Sequence, residues 1–235
     1  MPVIGESGRR QVAIWDLPTR LFHWSLVILV GGNLFLISPR GGWSTLVHFL
    51  AGFTIAGLLL FRFVWGFIGS PRSRFADFLQ PWPVVHSYAT RLARLNPPHS
   101  IGHNPLGGWM IGAMLATLLA IILTGLFAAG WRAAGPYAHW LATRRAHQIG
   151  ELHQLISNLM IGLVALHVAG VLADWLLTRD NLVKAMITGR KSLSPQEAAK
   201  EGRLAPMGRA ALIGLLALAL TAGLAAITDF AAPPP

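Results

Sequence analysis

Five stretches of this chain are too long and too apolar to stay in water. They are Leu21–Ile37, Ser44–Ile68, Leu106–Gly130, Leu152–Leu177 and Ala210–Ile227. A helix needs about 20 apolar residues to span the hydrocarbon of a bilayer. Only helices and closed barrels satisfy their backbone groups in lipid, and barrel strands are shorter and alternate in polarity. The runs therefore predict an all-α membrane protein. Charged residues make up only 12% of the 235, against about 25% in a soluble domain, and mean hydropathy is +0.54.

The first four runs form one block, residues 18–188, expected to be a four-helix transmembrane bundle. Residues 1–17 read as a polar cytoplasmic segment, and the first run lacks the small-residue cleavage site of a signal peptide. A charged linker, residues 189–206, reads as cytoplasmic and loosely structured. A fifth, C-terminal transmembrane helix is expected over 207–230, with a short tail at 231–235. The long connection from Gly69 to Pro105 contains "VVHSYATRLARL", whose apolar and basic spacing suits a helix on the membrane surface. The connection from Trp131 to Gly150 suits a short interfacial helix.

The formal charge of +10 invites a nucleic-acid reading, but its distribution argues against one. With the N-terminus placed in the cytoplasm, 15 of the 19 Lys and Arg fall inside and 4 outside. That asymmetry is the positive-inside signal of membrane topology. Five crossings then put the C-terminus outside. The chain has no cysteine. Thiolate zinc sites, iron–sulfur ligation and covalent haem attachment are thereby excluded.

Four of the nine histidines lie inside apolar runs: His23, His48, His153 and His167. Ionisable residues at membrane depth are costly and point to a site. His153 and His167 are 14 residues apart, nearly four helical turns, so they share one face and differ by roughly 21 Å in depth. Run direction then sorts the four into two levels, His48 with His153 and His23 with His167. His23 lies closer to its helix end than His167 does, so the fourth helix is expected to extend past the lipid or tilt. A histidine pair on facing helices can fill both axial positions of a haem iron, which favours electron transfer. Gly52 and Gly170, one turn from His48 and His167, leave room for a flat macrocycle. Arg20 and Arg62 are candidates to pair with haem propionates, with Arg72 and Arg74 behind them. The residues also admit a His-based membrane metal-ion site or transporter, and plain packing in an anchor subunit. Asp174 is the lone carboxylate within these four runs. Gly108 and Gly112 have the spacing of a dimer face or of ordinary packing. The loop histidines His86, His99, His103, His139 and His147 read as solvated.

"VAIWDLPTRLFHW" (Val12–Trp24), "HFLAGFTIAGLLLFRFVWGFIGSPRSRFADF" (His48–Phe78) and "ELHQLISNLMIGLVALH" (Glu151–His167) resemble the bacterial cytochrome b561 family, related to the cytochrome b subunits of nickel hydrogenases. The resemblance covers roughly residues 12–190. It implies a four-helix bundle with two non-covalent b haems, and the family's ligand histidines fall on His23, His48, His153 and His167. It also implies electron transfer in a bacterial inner membrane with ubiquinone or menaquinone, making a quinone-linked oxidoreductase one expectation. His86, His99 and His103 are then candidates for proton handling at a quinone site. A periplasmic c-type cytochrome or a hydrogenase-like subunit is the expected redox partner. The fifth helix lies outside the family pattern and leaves a homodimer open.

Overall fold

The computed structural model describes residues 8, 10–36, 43–130 and 134–228. Arg9, Arg40, Arg132 and the tail 231–235 lie outside the described residues. In order along the chain come β1 (Arg10–Ala13), α1 (Leu17–Leu36), α2 (Trp43–Ile68), α3 (Phe75–Phe78), α4 (Trp82–Ala93), α5 (Pro105–Phe127), α6 (Thr143–Thr178), α7 (Leu182–Thr188), β2 (Arg190–Leu193), α8 (Pro195–Ala198) and α9 (Met207–Ala226). Four described helical segments are long and apolar enough to cross a membrane: Thr45–Ile68, Pro105–Phe127, Thr143–Thr178 and Met207–Ala226. The first expected span, Leu21–Ile37, falls on α1, a 20-residue helix.

The chain divides into two units. The first contains residues 1–23, 62–112 and 165–212. Its core is Ile14, Trp15, Ala185 and Leu193, with Val12, Ile101, Met186 and Ala198 against it. β1 and β2 pair antiparallel, Arg10 opposite Leu193 and Ala13 opposite Arg190. Gly189 closes α7 in the left-handed region at φ 77°, and a side chain there would meet the Trp15 carbonyl at 2.7 Å. Its own carbonyl accepts from the backbone N–H groups of Ile14 (2.8 Å) and Trp15 (3.1 Å). A residue with a Cβ pays strain in this region and glycine does not.

The linker is therefore ordered, contrary to the expectation for 189–206. Leu193 is fully buried, Lys191 Nζ donates to Asp180 Oδ2 at 2.6 Å, and Ser194 with Glu197 forms a capping box that starts α8. Arg72 pairs with Asp77 at 2.9 Å and also with Glu201, which commits it to carboxylates of the chain itself. Arg74 donates to the Gly69 carbonyl. The Gly69–Pro105 connection forms α4, as its spacing predicted. Gly108 and Gly112 serve packing within the chain: a Cβ at 108 would collide with the Phe78 backbone, and one at 112 would press on Leu79.

The second unit contains residues 24–61, 113–164 and 213–235. Ile55, Leu118 and Met160 form its core, with Leu26, Leu29, Val30, Leu59, Ile121 and Val164 among the residues packed on them. α1, α2, α5 and α6 thus each contribute. α9 packs on α2 at Gly57, where a Cβ would lie 2.7 Å from Thr221 Oγ1. The expected short helix before residue 150 is reduced to one 3-10 turn, Ala138–Trp140. Beyond it α6 already begins at Thr143 and runs 36 residues, ~54 Å at the rise of a helix. It exceeds a hydrocarbon core of about 30 Å, as the uneven histidine positions suggested.

Candidate functional site

In the second unit, His48 of α2 and His153 of α6 face one another. Their ring centroids are 6.2 Å apart and their planes are nearly perpendicular, at 88°. His48 Nδ1 lies 2.8 Å from Asn33 Oδ1. Asn33 Nδ2 donates to the Leu29 carbonyl at 2.8 Å, which fixes the amide so that its oxygen meets the ring. An amide oxygen only accepts, so His48 donates from Nδ1. His153 Nδ1 lies 3.1 Å from the Ile121 carbonyl and 3.1 Å from Thr124 Oγ1. A carbonyl also only accepts, so this ring too carries its proton on Nδ1. Both Nε2 atoms keep a lone pair, and among the described residues neither takes part in a hydrogen bond.

That is the state a metal-binding imidazole needs, with its second nitrogen held by an acceptor. Metal–nitrogen bonds of about 2 Å on each side of an iron, plus about 1 Å from nitrogen to ring centre, separate two axial rings by on the order of 6 Å. The observed spacing fits. An axial imidazole rotates about its metal bond, so perpendicular planes are compatible with it. Gly125 faces the ring: a Cβ there would be 3.0 Å from His153 Cε1. At Gly52, one turn from His48, a Cβ would meet nothing within 4 Å.

In the first unit lie His23 of α1 and His167 of α6, which interact electrostatically. A Cβ at Gly170 would also meet open space. The same unit buries a charged network. Asp16, 2% exposed, caps α1 by accepting from the Thr19 N–H at 2.8 Å. It also accepts from Trp65 Nε1 at 3.0 Å and Ser73 Oγ at 3.1 Å. Burial alone would raise its pKa. Hydrogen bonds from Ser70, Thr19 and Trp65 more than offset that and hold the carboxyl below its ordinary value.

Arg62 is 4% exposed, lies over the rings of Phe75 (5.1 Å) and Phe78 (5.4 Å), and interacts electrostatically with Asp16. Its Nη1 is buried and has no hydrogen-bond partner among the described residues. A buried guanidinium with an orphan donor suits a ligand anion such as a propionate. Arg20 is differently engaged: Nη1 donates to the Ile187 carbonyl at 2.6 Å, while Nε is buried and unpartnered among the described residues. Arg20, Asp16, Arg190 and Met207 help line a cavity of about 380 Å³.

His103, expected to be solvated, instead packs between Trp15 (4.4 Å between rings) and Phe78 (5.4 Å). Burial, followed by the positive charges of Arg62 and Lys191, pushes its pKa down to about 3. Its loop position concealed this, since the partners are distant in sequence. His99 sits 3.6 Å from Asp180 and 3.7 Å from Glu197, His147 Nδ1 contacts the Ala129 carbonyl, and His86 is exposed. Asp174 accepts from Asn104 Nδ2 at 3.0 Å, with Tyr88 Oη at 3.4 Å. Among the described residues no three or more His, Cys, Asp or Glu gather as a metal-ion cluster. Asn33, Thr124 and Gly125 escaped the sequence reading. Asn33 carried a usable signal, an amide inside an apolar run.

The family model described as prokaryotic cytochrome b561 matches residues 14–189. The chain is 25% identical to the probable Ni/Fe-hydrogenase B-type cytochrome subunit of Rhizobium leguminosarum bv. viciae, covering 82% of this chain and 95% of that one. It is 26% identical to the subunits so described in Azotobacter vinelandii (78% of this chain, 90% of that one) and Escherichia coli K12 (76% and 90%). No solved structure matches. Together with the four apolar helices, the family match over residues 14–189 makes this chain a member of the prokaryotic cytochrome b561 family, an integral membrane b-type cytochrome that transfers electrons.

Proposed function

We propose that the chain holds two b haems and passes electrons between a membrane quinone and a redox partner. His48 and His153 would hold one haem, His23 and His167 the other. The observation that carries this reading is the His48–His153 pair, with both Nδ1 atoms anchored and the ring centres 6.2 Å apart. Haem iron held there would supply reversible one-electron chemistry. Around it, Arg62 offers a buried donor to a propionate, and Arg20 offers Nε. Gly125 leaves space for the His153 ring, while Asn33 and the Ile121 carbonyl hold the imidazoles in the ligating tautomer.

Relatives described as Ni/Fe-hydrogenase B-type cytochrome subunits favour a hydrogenase-like partner. The positive-inside count supports a bacterial inner membrane location, with the N-terminus cytoplasmic and α1 as a fifth crossing. Purified chain in liposomes is expected to show reduced haem bands on addition of an ubiquinol or menaquinol analogue. A spectrum that responds to dithionite but not to quinol would contradict the quinone link.

Gly125→Ala tests the pocket itself. The added methyl presses on the His153 ring and displaces it by a few tenths of an ångström, away from the Ile121 carbonyl. Partial loss of one haem, read as haem per chain, is the expected result.

A further inference from the structure

We infer that Asn33 is the positioning residue for His48, setting both its tautomer and its strength as a ligand. The inference rests on the proposed haem ligation. Three observations carry it. The amide is locked, because Nδ2 donates to the Leu29 carbonyl one turn back. Its Oδ1 therefore presents only lone pairs to His48 Nδ1, at 2.8 Å. Among the described residues no other hydrogen bond reaches the His48 ring. His153 differs, since a backbone carbonyl holds it and no substitution removes that acceptor. Asn33 is thus the side chain through which the sequence holds the His48 ring, while on the His153 side the Thr124 hydroxyl stands beside the carbonyl. An acceptor at Nδ1 pushes electron density to Nε2, which favours the more positive, oxidised metal. Neither Leu nor Ala at 33 could do this, and either would leave a part-buried Nδ1–H unpaired.

The test compares wild type, Asn33→Leu and Asn33→Asp as purified holoprotein, by haem count and potentiometric titration. In Asn33→Leu one haem is expected to shift at least tenfold towards the reduced form at fixed potential, equivalent to 59 mV for one electron, or to be lost. The other haem should titrate as in wild type. Asn33→Asp keeps an acceptor oxygen and should not shift towards the reduced form. Superimposable titrations for wild type and Asn33→Leu, with haem retained, would overturn the inference.

A second readout does not need haem: the imidazole ¹⁵N shifts of His48 in haem-free chain. Wild type should carry the proton on Nδ1, and Asn33→Leu a mixture of tautomers. The same tautomer in both would overturn the role of Asn33 even if the haem reading stood. Wild type lacking haem would instead sink that reading while leaving the tautomer result to stand or fall alone.

Discussion

His153→Ala is expected to halve the haem bound per chain, from two to one, and His48→Ala to do the same. Each removes one side of a pair whose other side cannot fill both axial positions. The remaining imidazole keeps its anchor, Asn33 Oδ1 in one case and the Ile121 carbonyl in the other. The double variant should lose no more haem than either single one, because the two residues act as a unit. His23→Ala and His167→Ala should remove the other haem by the same logic. A pyridine haemochrome assay against protein concentration reads each outcome. Two haems retained in His153→Ala would show that the pair is not a ligand pair.

Asp16→Ala is expected to cost several kcal/mol, at about 1–3 kcal/mol for each buried donor left unpaired. It strands the donors of Thr19, Trp65 and Ser73 and leaves the buried Arg62 uncompensated. With total stabilities of about 5–15 kcal/mol, most of the variant should fail to accumulate folded. Asp16→Asn keeps much of the shape without the charge and should melt between the two. Thermal melting in detergent reads the series, and a wild-type melting temperature for Asp16→Ala would contradict the network.

Acid should separate two groups. His103 has a folded pKa of about 3 against 6.5, so the unfolded chain binds its proton first. Stability therefore falls as pH drops from about 6.5 towards 3, by up to about 1.4 kcal/mol per pH unit. Asp16 is held below 3.8, so its contribution is full above that value and is lost as pH falls through the lower folded value. His103→Leu should make the fall in the first window less steep and leave the second unchanged.

The spans were legible because lipid imposes long apolar runs, and α2, α5 and α9 begin within three residues of the runs that predicted them. α6 was underestimated at its start. Thr143–Glu151 is polar, so an apolar criterion cannot see it, although nothing there breaks a helix. The ribbon of β1 and β2 was invisible: four-residue strands about 180 positions apart carry no local signal, and their pairing depends on Gly189 and the buried Leu193. At the candidate site, the four histidines stood out as ionisable residues inside apolar runs, and the structure sets His48 opposite His153. Of the groups that orient them only Asn33 left a signal in the sequence; a backbone carbonyl at Ile121 and a missing Cβ at Gly125 act through proximity alone.

Haem stoichiometry of the wild-type chain tests the central claim most directly. The protein, purified in mild detergent after expression with ample haem supply, is assayed by pyridine haemochrome beside a reduced-minus-oxidised spectrum. The account predicts two b haems per chain, both reducible. One haem would restrict ligation to a single histidine pair, and none would contradict the account outright.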